Sequence, residues 1–142
     1  MNDETSSSSR RQSRELALQV LFQQEFAPNL DFHKSLENFR GSFAASTKVW
    51  KYAEELLSGI RQNQEAIDRL IAASASNWTI NRMALVDLNL MRLAVFEMVF
   101  CTEAIPPPVA INEAVEITKK YGTTESAKFI NGILDQVAHR EA

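Results

Sequence analysis

Apolar residues along this chain recur at intervals of three and four, and alternation of period two is nowhere sustained. Leu16, Ala17, Leu18, Val20, Leu21, Phe22 and Phe26 cover well over half the circumference of a first helix. It starts at residue 10 or 14 and stops before Pro28. A helix apolar on most sides is packed on most sides, so this one is predicted to be central to the fold. Asp31 is a suitable N-cap for a second helix, in which Phe32, Leu36, Phe39 and Phe43 form one stripe and Gly41 is an early stop. The third helix covers about 46–73, with Val49, Tyr52, Ala53, Leu56, Ile60, Ile67, Leu70 and Ile71 on its apolar face and Gly59 as a point where a bend is allowed.

Residues 74–79 read as a turn. Thr79 is placed to cap a short helix over 80–86, and Asp87 to cap another that runs to 102; one bent helix fits the same pattern. The three prolines at 106–108 stop it, while Pro108 suits the first turn of a helix over 109–121 that closes at Gly122 as a C′ residue. Thr123 or Thr124 opens the last helix, which ends near His139. The polar residues 1–9 read as a disordered tail ahead of a domain over 10–142. The sum is an all-α fold, a compact bundle of about seven helices in two subdomains that share the central first helix.

Composition narrows the chemistry. The 142 residues are 45% apolar and carry a net charge of -3, which excludes a uniformly basic nucleic-acid coat and leaves room for a local patch. Cys101, the single cysteine, cannot form an intrachain disulfide, and a buried hydrophobe in a reducing, cytoplasmic compartment fits it. The most apolar stretch, 83–100, contains Asp87, Asn89, Arg92 and Glu97, too polar for a membrane span. Glycines at 41, 59, 122 and 132 are scattered, so no phosphate-cradling loop is present. Two distant histidines and one cysteine do not compose a zinc site. Carboxylate pairs at Glu54 with Glu55 and Glu113 with Glu116 read as solvated helix faces. No enzyme, no cofactor and no metal are expected.

Against that background Arg10, Arg11 and Arg14 stand out. In a helix they share an arc of about 100°, with Gln12 outside it. Cations near a helix N-terminus oppose its dipole, and like charges at i and i+4 repel, so helix stability does not call for them. A soluble arm ahead of a helix capped by Ser13 is one reading. The other is a phosphate-binding arm, since guanidinium groups grip phosphate with paired hydrogen bonds and stack on bases. Lys119 and Lys120 fit the dipole at a helix C-terminus, and Lys128 lies beside Phe129 on the last helix.

The segments RRQSRELALQVLFQ, NLMRLAVFEMVF and PVAINEAVEITKKYGTTESAKFINGILDQVA together resemble the NusB family of bacterial transcription antitermination factors, over residues 10–138. The resemblance implies an all-helical, non-catalytic protein that binds boxA-type single-stranded RNA of ribosomal RNA leaders. It implies as partners a small-subunit ribosomal protein, NusE, and the elongating RNA polymerase. By position it assigns Arg10, Arg11 and Arg14 to RNA binding, together with Glu125, Ser126, Lys128 and Phe129. Phe22 and Asp87 fall at the ribosomal-protein interface. Gln12 stands where the family is often basic, which leaves the cluster one charge short. Asn112, Glu113, Asn131 and Asp135 also match family positions, and buried polar links between helices are the role expected of them. Monomer and homodimer both remain open. A homodimeric protein–protein scaffold or ribosome-assembly adaptor with weak RNA affinity is the competing reading. An RNA-modifying enzyme is not expected, because the helical domain fills the 142 residues.

Overall fold

The computed structural model describes residues 3–29, 31–40, 46–76 and 78–141. Among them are six α-helices: α1 (Asp3–Phe26), α2 (Phe32–Arg40), α3 (Thr47–Ser74), α4 (Leu85–Val95), α5 (Pro107–Tyr121) and α6 (Thr124–Glu141). A 3-10 turn (Ile80–Arg82) precedes α4, and a π-helical segment (Phe96–Phe100) follows it. The all-α class is as the pattern predicts. The helix count differs because 80–86 supports only the short 3-10 turn, capped at Thr79 without a side-chain bond. Asp87 sits inside the first turn of α4, whose N-cap is Ala84. Gly41 and Phe43 lie outside the described residues.

The chain divides into two compact units, residues 1–58 and 59–142. In the first, α1 starts at Asp3, so helical backbone runs through the serine tract that composition assigns to a tail. Ser13 is therefore mid-helix and not a cap. Its hydroxyl is within reach of the carbonyls of Ser9 (3.0 Å) and, across to α3, Val49 (2.8 Å). Leu16, Ala17, Leu18 and Val20 of α1 are buried, as are Val49, Ala53, Leu56 and Leu57 of α3. The predicted all-round packing of α1 stops short of its end: Phe22 and Phe26 are 39% and 71% exposed.

In the second unit, α4 is buried along almost its whole length and packs against the α5–α6 pair. Arg92 of α4 is tied by two hydrogen bonds to Asp68 of α3, Nε to Oδ1 at 2.9 Å and a terminal nitrogen to Oδ2 at 3.0 Å. A third runs to Asn89 (3.1 Å). Such a two-pronged pair at low exposure fixes both helices' rotation. Gly59 is not a bend but a landing place: the Phe96 ring lies where a side chain at 59 would begin. The coil widens at Phe96–Phe100, where the Cys101 N–H donates to the Phe96 carbonyl (2.9 Å). The Ile105 N–H then folds back onto the Glu97 carbonyl (2.9 Å). Pro106 caps α5, with prolines in its first positions where no amide donor is missed.

Gly122 closes α5 with φ -126° and ψ -157°, extended backbone and not the left-handed geometry of a C′ glycine. Its smallness is needed for another reason. A Cβ there would meet Thr118 Cγ2 at 2.9 Å and Ser126 Cβ at 3.2 Å. No helix among the described residues is long and apolar enough to cross a membrane.

Candidate functional site

The arginine cluster lies on α1 two turns past the helix start at Asp3, so the dipole argument against it lapses, because that effect fades beyond the first turn. The three side chains do not share one environment. Arg11 is exposed, Arg10 is half-buried, and Arg14 is 4% exposed. Arg10 lies over the ring of Tyr52, its guanidinium carbon 4.6 Å from the centroid. A cation over a ring face at this distance is attracted by the ring's negative π-face, which restrains the Arg10 head group on α1. Further along the same helix, Phe22 and Phe26 meet edge to face at 5.2 Å, a small exposed aromatic patch. From sequence Tyr52 and Phe26 are only members of apolar stripes, and a stripe does not tell which of its members stay in water.

In the other unit, the residues that the resemblance assigns lie around the point where α5 turns into α6. Thr123 caps α6 by accepting the Ser126 N–H on its hydroxyl oxygen (3.0 Å). The Thr123 hydroxyl donates to Ser126 Oγ (3.2 Å), and the Ser126 hydroxyl donates to Oδ2 of Asp87 (3.3 Å). The chain of donors ends on a carboxylate that is only 7% exposed. Burial pushes the Asp87 carboxyl above its ordinary value, and the Ser126 hydroxyl pulls the other way. Glu125 and Lys128 are exposed on the first turns of α6. Phe129, half-buried, carries a neighbour that the turn-like composition of 74–79 conceals. This is Trp78, 50% exposed, its ring edge to face with Phe129 at 5.7 Å and 74°.

Three of the four polar family positions are not the buried links between helices expected of them. Only Glu113 is buried; Asn112, Asn131 and Asp135 are exposed. The Asn131 amide reaches Asp135 along α6, at 3.5 Å. Asn112, Asn131 and Asp135 instead line a groove of about 360 Å³ with Pro107, Pro108 and Ile111. Polar side chains at helix spacing can point to a groove as readily as to a partner helix, and the sequence does not separate the two. Lys119 and Lys120 close α5 as the dipole favours, Lys119 pairing with Glu116 at 2.8 Å.

The model of the NusB family matches residues 11–139. The transcription antitermination protein NusB of Bdellovibrio bacteriovorus is 52% identical over 128 residues, which cover 90% of this chain and 93% of that protein. The crystal structure of T. maritima NusB superimposes with a TM-score of 0.83 at 39% identity, covering 94% of this chain and 92% of that one. A crystal structure of antitermination factors NusB and NusE in complex with dsRNA has a TM-score of 0.82 at 23% identity, covering 94% and 98%; at that identity the likeness is one of fold.

Proposed function

The chain belongs to the NusB family, and from that premise we propose that it is a non-catalytic transcription antitermination factor. On this reading it binds boxA-type single-stranded RNA of ribosomal RNA leaders together with the small-subunit ribosomal protein NusE, and the assembly joins elongating RNA polymerase. The observation that carries it is the exposure of Arg11 and Lys128 in a chain of net charge -3, on the two segments that the family resemblance assigns to RNA. The solved complex of a fold neighbour with NusE and dsRNA supports RNA and NusE as partners in kind. Single-stranded RNA suits the side chains here, because partly exposed aromatics act on bases that are not paired.

The residues take different parts. Arg11 and the edge of Arg10 contact phosphate. Arg14, being buried, supports the α1 surface from beneath. Glu125 cannot bind phosphate; it accepts from base amino groups or a ribose 2′-hydroxyl, which is where selectivity enters. Lys128 neutralises phosphate, Phe129 offers a face for stacking, and Ser126 holds the turn through Asp87. Phe22 contributes apolar area to the ribosomal-protein contact, joined by Phe26. Two exposed phenylalanines side by side also favour a second copy of this chain as occupant, which sedimentation at micromolar concentration decides.

The test is a filter-binding titration with a boxA-like RNA, with and without the ribosomal protein. The expected result is saturable binding that tightens when the protein is added. With about three phosphates neutralised, log affinity falls against log salt with a slope of about -2. No binding at moderate salt in either arm overturns the reading.

A further inference from the structure

Trp78 has no place in the residues assigned so far. It follows α3 in a turn, its N–H bonded to the Ala75 carbonyl (3.2 Å), with extended backbone at Thr79 behind it. A ring of this size that stays 50% exposed is not there for the core. The indole meets Phe129 edge to face, a favoured aromatic geometry that couples the two rings. Lys128 stands next to Phe129 in the chain, and Arg82, exposed, ends the 3-10 turn four residues after Trp78.

We infer that the exposed indole of Trp78, braced on Phe129, is a stacking platform for one unpaired base of the bound RNA. The inference rests on the RNA-binding reading above and adds a residue to it. Two features favour a base over an apolar protein side chain. The platform continues directly into Phe129 and Lys128, already part of that surface. Exposed cations also lie close to the pair in the chain, Lys128 directly before Phe129 and Arg82 four residues after Trp78, and each nucleotide brings a flat π-face and an anionic linkage together. Glu125, one turn before Phe129 on the same side of α6, bounds the platform with a charge that repels phosphate and accepts from a base edge.

The experiment uses the full chain and a boxA-like RNA oligonucleotide. Trp78→Ala weakens RNA binding by about 5- to 150-fold, the range for loss of one stacked base, while the slope of log affinity against log salt stays unchanged. Trp78→Phe keeps most of the affinity. A second measurement leaves the platform intact. The chain has two tryptophans, and Trp50 is buried, so in Trp50→Phe the emission reports Trp78 alone and RNA quenches it. Wild-type affinity in Trp78→Ala, or no quenching in Trp50→Phe at saturating RNA, overturns the inference while leaving the RNA reading standing. A Trp78→Ala variant that keeps RNA but loses the ribosomal protein also overturns it, because the platform then faces a protein. If the wild type itself binds no RNA, the proposed function has failed and the platform with it.

Discussion

Gly59→Ala sets two effects of opposite sign against each other. Gly59 lies inside α3, where replacing glycine by alanine is worth up to about 1 kcal/mol in helix propensity. A surface-helix argument therefore predicts a more stable protein. The packing says otherwise. An added methyl overlaps the outer carbons of the Phe96 ring, closer than non-bonded carbons approach. Phe96 is 8% exposed, so its ring has no solvent side to swing into. Overpacking of this kind costs about 1–3 kcal/mol, and an overlap with two ring carbons belongs at the upper end. The net is a loss of about 2 kcal/mol. For a chain of this size each kcal/mol moves Tm by about 2–4 °C, so the melt should fall by about 4–8 °C. Thermal unfolding by circular dichroism reads it, and a double-mutant cycle isolates the cause. In a Phe96→Leu background the ring is gone, and Gly59→Ala should then be neutral or stabilising. A higher Tm for Gly59→Ala in the wild-type background, or a cycle with no coupling, refutes the reasoning.

Three more outcomes can be measured. Asp68→Ala leaves the Arg92 guanidinium, whose side chain is 9% exposed, without its carboxylate and lowers Tm by about 6–12 °C, from a loss of about 3 kcal/mol; Asp68→Leu with Arg92→Met loses much less in the same melts. Asp87 holds its proton more tightly folded than unfolded, so its contribution to stability is full below 3.8 and is lost as pH rises through its folded value. Asp87→Asn, which still accepts from Ser126, should therefore melt higher than wild type at pH 7, by a margin that shrinks as pH falls; a margin constant with pH contradicts the assignment. Arg11→Glu should weaken boxA-like RNA binding and flatten its salt slope at unchanged Tm, whereas Arg14→Glu should lower Tm, since it buries a carboxylate at a 4% exposed position; equal melts for the two variants contradict this division.

The helical class and most of the core were legible because a buried stripe repeats every three or four residues: Val49, Ala53, Leu56, Ile60, Ile67 and Ile71 are all buried. The same signal failed at Phe22 and Phe26, because periodicity records which residues are apolar and not what covers them. The helical wheel placed Arg10, Arg11 and Arg14 on one arc, but an arc says nothing of what stands opposite, and Arg14 proved buried. Gly122 was readable as a helix end and misread in its reason, which is the closeness of Thr118 and not a left-handed turn. Trp78 was hidden by its polar neighbours, and only contact with Phe129, fifty-one positions later, gives it meaning.

The widened coil at Phe96–Phe100 has a consequence for chain length. Pro106, Pro107 and Pro108 have no amide hydrogen, so Ile105 is the last residue before them with a backbone donor, and it is spent on the Glu97 carbonyl. Deleting one residue from the widened coil would restore regular pitch and turn that carbonyl by about 100° away from Ile105. The proline strut would then leave α4 on a different bearing and carry the α5–α6 hairpin with it. Family members that gain or lose residues should do so elsewhere, because this corner works as a fixed elbow and not as a spacer.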